Sequence, residues 1–178
     1  MKKYLNQKGD TYIWLIIFII LFIIISSLVL DYGNLYVKSK KIKHTMNRAV
    51  KAASLQIKND EALVNGINGE DLANGEFKID EIKALETFKE VLANNLALDT
   101  ITLEPKENSL LFKAPKEKEW KVENNTPTDY TSTTINHTYN VDNPSVIAVY
   151  EFEIKGLFLK TNIKVAKLSS SQLASIYD

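Results

Sequence analysis

A run of about 19 residues from Tyr12 to Leu30 constrains this chain more than any other feature, because only Ser26 and Ser27 interrupt its apolar character. As an α-helix the run is roughly 28 Å long, which is enough to cross the hydrocarbon core of a bilayer. A core helix in a chain of this size normally keeps a polar stripe, whereas this run is apolar on every face. The sequence therefore predicts a transmembrane helix over 12–30, preceded by a basic leader over 1–11.

The run does not have the form of a cleaved secretory signal. Such signals have an apolar region of about 7 to 15 residues, followed by a cleavage site with small residues. The segment that follows this run, Leu30-Asp31-Tyr32-Gly33, contains no such site. We therefore expect the apolar helix to be retained, with Tyr12, Trp14, Tyr32 and Tyr36 as anchors at the two membrane surfaces.

Helical periodicity continues beyond the apolar run and predicts an amphipathic extension over 31–58. Its apolar positions recur at spacings of three, four and seven: Leu35, Ile42, Met46, Ala49, Val50, Ala53 and Ile57. Gly33 costs about 1 kcal/mol against Ala inside a helix and is expected to mark a bend where the helix leaves lipid. The basic residues on the other faces suit either anionic headgroups or solvent, and the sequence leaves both readings open.

Composition and motifs argue against an enzyme. The chain has 22 basic and 22 acidic side chains, so no net charge attracts nucleic acid, and it has no cysteine for thiolate chemistry or disulfides. His44 and His137 have no partner at a metal-ligand spacing, and phosphate-binding and nucleophile motifs are absent from the sequence. We expect no catalytic residue, no metal, no cofactor and no small-molecule substrate, although carboxylates brought together only by the fold stay open.

The rest of the chain predicts an α+β domain. Three Asn-Gly pairs make 59–79 a turn-rich connection, whose acidic residues match no calcium-loop pattern. Within the domain at 80–178, Asp80 is a plausible N-cap for a helix that runs to about Leu98. Its apolar face is predicted to be core: Ile82, Leu85, Phe88, Leu92 and Leu96.

From Thr100 the hydrophobic period changes to two, which predicts a small antiparallel sheet. The clearest strands are Val146 to Ile154 and Leu157 to Val165, joined as a hairpin by Lys155-Gly156. Weaker strands are predicted at Ile101 to Glu104, Ser109 to Lys113, Trp120 to Glu123 and Tyr130 to Val141. The Thr-rich segment TPTDYTSTTINHTY suits either a binding edge or an ordinary exposed strand. The tail SSSQLASIYD suits either a short helix or a frayed end.

Two short elements near the span resemble the N-terminal region of TadE/TadG-like pilus-assembly proteins. One is Asp31-Tyr32-Gly33-Asn34-Leu35-Tyr36, and its matching family positions are Asp31, Gly33, Leu35 and Tyr36. The other is the Ala-rich stretch over 47–53, in which Ala49, Ala52 and Ala53 are small enough for close helix packing. The resemblance covers roughly residues 7 to 57.

The resemblance implies a non-enzymatic, minor pilin-like or assembly component of a tight-adherence (Flp-type) pilus or a related secretion apparatus. Its partners would be the membrane and other apparatus proteins, reached through helix packing. Processed pilins of this type are cut after Gly and usually carry Glu at the fifth following residue. Here Gly9 and Asp10 suit the cut, but Trp14 takes the place of the acid, so a retained anchor is favoured.

The resemblance also implies a single-pass protein of the bacterial cytoplasmic membrane with its C-terminal domain outside. Flanking charge conflicts with this orientation, because five cations follow the span closely and three precede it: Lys38, Lys40, Lys41, Lys43 and Arg48 against Lys2, Lys3 and Lys8. Long domains translocate with little regard to such charges, so we still expect the domain outside. A single-span sensor or binding module with an external ligand domain is the alternative function, and an anchored hydrolase is a third.

Overall fold

The computed structural model describes residues 3–57, 78–124, 127–158 and 162–173, with side chains from residue 11 onward. In chain order the described elements are α1 Lys3–Ser54, α2 Glu81–Leu96, β1 Lys116–Glu123, β2 Thr128–Ser132, β3 His137–Val141, β4 Ser145–Lys155 and β5 Asn162–Gln172. The predicted α+β class is confirmed as a long, N-terminally apolar helix followed by a small domain with five strands. Most of the predicted connection at 59–79 and the end of the tail lie outside the described residues.

Helix α1 is 52 residues long, or about 78 Å. By length and composition it is able to cross a membrane, since its most apolar window has a mean hydropathy of 3.2 and none of that window is buried. The helix passes through Gly33 without a break, and no other described atom lies within 4 Å of the point that a Cβ would occupy there. Gly33 therefore does not interrupt the helix.

The later part of α1 packs against α2. The Asp80 amide donates to the Gln56 carbonyl at 2.7 Å, so α2 begins beside the far end of α1. Asn95, near the end of α2, lines the same groove as Lys41 and His44 of α1. Helix α2 thus returns along α1 toward the apolar half, and the two helices bury side chains between them: Ile42, Met46, Ala49, Val50 and Ala53 of α1, and Ala84, Phe88, Leu92, Ala93 and Leu96 of α2.

The predicted N-cap of α2 is confirmed, and its predicted core face is corrected at one end. Asp80 accepts hydrogen bonds from the Ile82 and Lys83 amides, each at 3.1 Å. Ile82 is nevertheless 73% exposed, and Leu85 is only half-buried. The buried stripe runs instead through Ala84, Phe88 and Leu92, which recur every four residues and therefore share one face of α2.

The main sheet has three antiparallel strands in the order β1-β4-β5, and β2 and β3 form a separate hairpin. Strand β4 is in the middle, and its side chains from Ser145 to Tyr150 are all buried. Phe88 of α2 contacts Trp120 of β1 and Tyr150 of β4, with ring centroids 5.1 Å away in both cases. This aromatic cluster joins the helical layer to the sheet, at distances that favour ring contacts.

The hairpin of β4 and β5 exists, but its predicted turn at Lys155-Gly156 and the predicted start of its second strand are wrong. Lys155 pairs with Asn162, so β5 begins at Asn162 rather than Leu157 and extends to Gln172. It therefore includes Ser169 and Ser171, which the sequence placed in the tail. The hydroxyl-rich end of β5 is not apolar enough to indicate a strand, and its pairing depends on β4 and on polar side chains of α1.

The weaker strand predictions have mixed outcomes. Residues 101–104 form a turn in which the Asp99 carboxylate accepts from the Ile101 and Thr102 amides, each at 2.9 Å. In 109–113 only Leu111 forms a bridge, to Ile154. The strand predicted over 120–123 starts earlier, at Lys116, and that over 130–141 is a hairpin whose turn holds Asn136 at φ 52°.

Candidate functional site at the junction of helix and hairpin

The β4–β5 hairpin lies alongside the later half of α1, with its turn toward the apolar half. Its strands have 11 residues each, or about 36 Å at 3.3 Å per residue. On α1, the stretch from Asp31 to Ser54 is about 35 Å long at 1.5 Å per residue. The hairpin and this stretch therefore match in length, and α1 contacts the hairpin from its turn to its open end.

Asp31 is the contact at the turn. It follows Leu30, the last residue of the apolar run, yet its side chain is only 3% exposed. Its Oδ1 accepts hydrogen bonds from the Leu157 amide and, at 3.3 Å, from the Phe158 amide. A buried carboxylate needs such donors, because an uncompensated charge away from water is costly. Asp31 therefore fixes the hairpin turn at the end of the apolar run.

Further polar contacts continue along α1. Lys38 Nζ donates to the Lys155 carbonyl at 2.9 Å, and Lys43 Nζ donates to the Leu168 carbonyl. Lys38 thus contacts the turn end of the central strand β4, whereas Lys43 helps to cover a backbone carbonyl of β5, an edge strand. Burial, aided by the positive charge of Lys167, lowers the pKa of Lys43.

Two side-chain pairs complete the row at the far end. Ser169 Oγ donates to Asn47 Oδ1 at 2.6 Å, and the hydroxyls of Ser54 and Ser171 are 3.0 Å apart. No role in holding the hairpin was predicted for any of these α1 residues. Short polar residues recur beside the apolar face of α1, which indicates that this side of the helix contacts a polar partner. The pattern does not indicate which strand that partner is.

The four residues on which the sequence resemblance rests have different positions. Asp31 is buried at the hairpin turn, and Leu35 packs partly buried against the core. Gly33 is exposed, and Tyr36 is exposed with Lys40 Nζ 4.8 Å from its ring centroid. The motif thus combines two residues that hold the domain to α1 with two that face outward.

The expected membrane anchors are all exposed in the chain, as side chains that contact lipid must be. Tyr12 and Trp14 lie near the start of the apolar half, and Tyr32 and Tyr36 lie near its end. Gly9 and Asp10 are within α1, and their side chains lie outside the described set. The four anchor residues, whose side chains the structure describes, are not brought into a common site.

The alanines expected to aid helix packing are largely used inside the chain. Ala49 and Ala53 are fully buried in the core formed with α2 and the sheet, and Ala52 is half-buried. Small residues at these positions allow α1 and its neighbours to approach closely. Ala49 and Ala53 therefore have an intramolecular packing role and are not accessible to another protein.

Two apolar residues at the hairpin turn were missed as functional candidates. Leu157 is 59% exposed and Phe158 is 52% exposed, although Asp31 fixes the backbone amides of both. Both were predicted to belong to the second strand of the hairpin. Their exposure beside the end of the apolar run follows from the later start of β5.

A second polar cluster centres on Glu119 of β1 and holds the β2–β3 hairpin. Glu119 accepts from the Tyr130 hydroxyl, from Ser132 and Thr133, and from the Thr134 amide at 2.7 Å and hydroxyl at 2.5 Å. Desolvation by burial opposes ionisation, but these donors outweigh it and lower the pKa of Glu119 to about 2. Burial and the Glu119 charge raise the pKa of Tyr130. The carboxylate remains ionised at neutral pH, so it suits a structural acceptor better than a proton donor.

The remaining polar surface includes two histidines and a basic groove. Among the described residues, no group of three or more His, Asp or Glu side chains is placed to hold a metal ion. His44 and His137 are exposed. An open groove of about 520 Å³ lies between α1 and the end of α2, and its lining is mainly basic: Val37, Lys40, Lys41, His44, Thr45, Arg48 and Asn95. Such a groove attracts anionic groups but offers no chemistry of its own.

Comparison with known proteins identifies no relative. No family model, curated protein or solved structure matches this chain.

Proposed function

We propose that this chain is a single-pass protein of the bacterial cytoplasmic membrane and a non-enzymatic component of a tight-adherence (Flp-type) pilus or a related secretion apparatus, as an assembly protein or a minor pilin-like subunit. The observation that carries the proposal is the division of one helix at Asp31. Before Asp31 the described side chains of α1 are largely exposed, and from Asp31 onward the same helix is built into the domain. Such a helix transmits any lateral contact in the membrane to a rigidly attached domain.

The exposed apolar half supports a role through helix packing. Side chains over 12–25 are all exposed, and they are free to contact lipid or the apolar helices of other proteins. Further along α1, Val37, Lys41 and Arg48 are also exposed, beside a groove that the domain leaves open. The resemblance of the Asp31 to Tyr36 element to pilus-assembly proteins points in the same direction.

The flanking charges that oppose an external domain have another use. Lys38 and Lys43 donate to backbone carbonyls of the β4–β5 hairpin, so they have a structural use in the domain besides their charge. Their presence is therefore weaker support for a cytoplasmic domain than a simple count of charges would give. We place the domain outside.

Photocrosslinking in native membranes tests the proposal. The photoreactive residue p-benzoylphenylalanine would replace Phe18 or Phe22, both exposed aromatic residues in the apolar half, and Ile82 as a matched exposed control on the domain. We expect crosslinks from positions 18 and 22 to apolar helices of pilus or secretion proteins, identified by mass spectrometry. A chain that crosslinks to lipid alone at both positions and binds a defined ligand through its domain would instead be a membrane-anchored binding module.

A further inference from the structure

Leu157 and Phe158 present exposed apolar side chains at a fixed height along α1. Because Asp31 accepts hydrogen bonds from both of their amides, the hairpin tip is level with the first residue after the apolar run. In a protein anchored by that run, this level is the boundary between hydrocarbon and headgroups. Large apolar side chains on a surface loop are unfavourable in water but well suited to this layer.

We propose that this hairpin tip, Leu157 and Phe158, is a lipid-binding element that inserts into the interfacial layer of the same bilayer that α1 spans. The inference rests on the proposed membrane anchoring by α1, but it does not depend on any role in a pilus. It makes the domain contact the membrane at two places, through the helix and through the hairpin tip, and this restricts the tilt of the domain over the bilayer.

Charge near the tip matches a phospholipid surface. Lys38 lies seven residues, or about 10 Å, beyond Asp31 and donates to the Lys155 carbonyl at the end of β4. The headgroup layer is roughly 5 to 8 Å thick on each side, and a lysine side chain is long enough to reach back to it. The Lys155 ammonium is also held near this level, 5.3 Å from the ring centroid of exposed Phe112.

The acidic groups in this region do not reverse that charge. Asp31 is buried beneath the tip and accepts from its amides. Glu153 on β4 has a Lys113 ammonium at 3.6 Å. The outward charge beside Leu157 and Phe158 therefore comes from lysines, which suits the phosphate groups of lipids.

A depth measurement on the full chain tests the inference. Because the natural chain has no cysteine, each variant L157C, F158C, L21C and I82C carries a single thiol for the environment-sensitive fluorophore NBD. Each labelled protein would be reconstituted at one copy per nanodisc, in phosphatidylcholine alone or with phosphatidylglycerol. Lipids with a nitroxide near the headgroup or deep in the acyl chain serve as quenchers. Position 21 reports on the span. Position 82 is the exposed apolar control, about 37 Å farther along α1 because Asp80 is bonded to Gln56.

We expect blue-shifted emission at positions 157 and 158, and the shallow nitroxide should quench it more than the deep one. The blue shift should be larger when phosphatidylglycerol is present. Position 82 should keep the emission of a water-exposed probe. Water-like emission at 157 and 158 together with deep quenching at 21 would overturn the tip inference and leave anchoring intact. Water-like emission at 21 as well would overturn both. A blue shift at 157 and 158 that is insensitive to either nitroxide lipid would indicate protein rather than lipid as the covering surface, and would also contradict the inference.

Discussion

The Asp31 carboxylate accepts a hydrogen bond from the Leu157 amide across 126 positions of sequence. This contact joins α1, at the residue after its apolar run, to the turn of the β4–β5 hairpin. It divides α1 into an exposed apolar half and a half that belongs to the core, and the divided helix is the basis of the proposed membrane role.

Replacing Asp31 should loosen the hairpin tip without unfolding the domain. In D31A the Leu157 and Phe158 amides lose their acceptor, and we expect a local loss of about 1 to 3 kcal/mol. D31N keeps an uncharged acceptor and should lose less, about 1 kcal/mol. Hydrogen exchange of the two amides measures the effect. The exchange rate should be highest in D31A, lower in D31N and lowest in the natural chain. Unchanged exchange in D31A would show that the contact does not hold the tip.

Acid should selectively weaken the attachment of the β2–β3 hairpin. The folded-state pKa of Glu119 is lowered from 4.5 to about 2, so the folded chain binds this proton less tightly than the unfolded chain. Its contribution is complete above about pH 4.5 and is lost as the pH falls through about 2.

The variant E119Q measures this contribution. At neutral pH it should be less stable by about 1 kcal/mol, since the site is partly open to solvent and its charged hydrogen bonds are correspondingly weakened. The difference from the natural chain, measured by chemical denaturation, should shrink toward pH 2. D129N, which changes an exposed carboxylate of the same hairpin, is the matched control and should show no comparable loss. An equal loss in both variants would contradict the role of Glu119.

G33A should stabilise α1. Gly33 lies in the interior of the helix, and no other described atom is within 4 Å of the added methyl group. Alanine is favoured over glycine in helices by about 1 kcal/mol, so the thermal midpoint of the detergent-solubilised protein should rise. A lower midpoint would mean that another surface packs closely on Gly33. If G33A is more stable but forms fewer crosslinks to partners from p-benzoylphenylalanine at position 18, a partner helix approaches closely at Gly33 during assembly.

Thiol labelling should determine the orientation of the domain. With a single cysteine in I82C, exposed at the far end of the domain, a membrane-impermeant maleimide should label intact cells. The matched variant K3C, at the other end of α1, should be labelled only after permeabilisation. The reverse pattern would place the domain in the cytoplasm, as the count of flanking cations alone predicts.

Local patterns predicted the parts of the fold that depend on neighbours in sequence. The apolar run, the continuation of α1, the Asp80 cap and strand β4 each follow from periodicity or side-chain chemistry within a few residues. The later start of β5 does not, because contacts with α1 hold this strand in place: Asn47 accepts from Ser169, and the Ser54 hydroxyl contacts that of Ser171, each across more than 100 positions. The exposed tip at Leu157 and Phe158 could not be predicted for the same reason: the register of one strand decides which apolar residues are buried.

For Asp31, the sequence motif did not indicate the contact that the side chain makes. The sequence resemblance singled out this residue, but its position in a family pattern does not indicate what it contacts. Only the folded chain pairs it with the hairpin amides, so a polar residue next to the apolar run supports the hairpin turn.

Accessibility along α1 tests most directly whether one helix passes from lipid into the domain at Asp31. Nitroxide labels on single cysteines at Ile20, Leu28, Tyr32 and Lys41, all exposed, would be measured in nanodiscs for collision with oxygen, which concentrates in lipid, and with a water-soluble nickel complex. The account predicts that oxygen collisions dominate at 20 and 28, that the two balance near 32, and that nickel collisions dominate at 41. Dominant nickel collisions at 20 and 28 would contradict it, because the apolar half of α1 would then lie outside the bilayer.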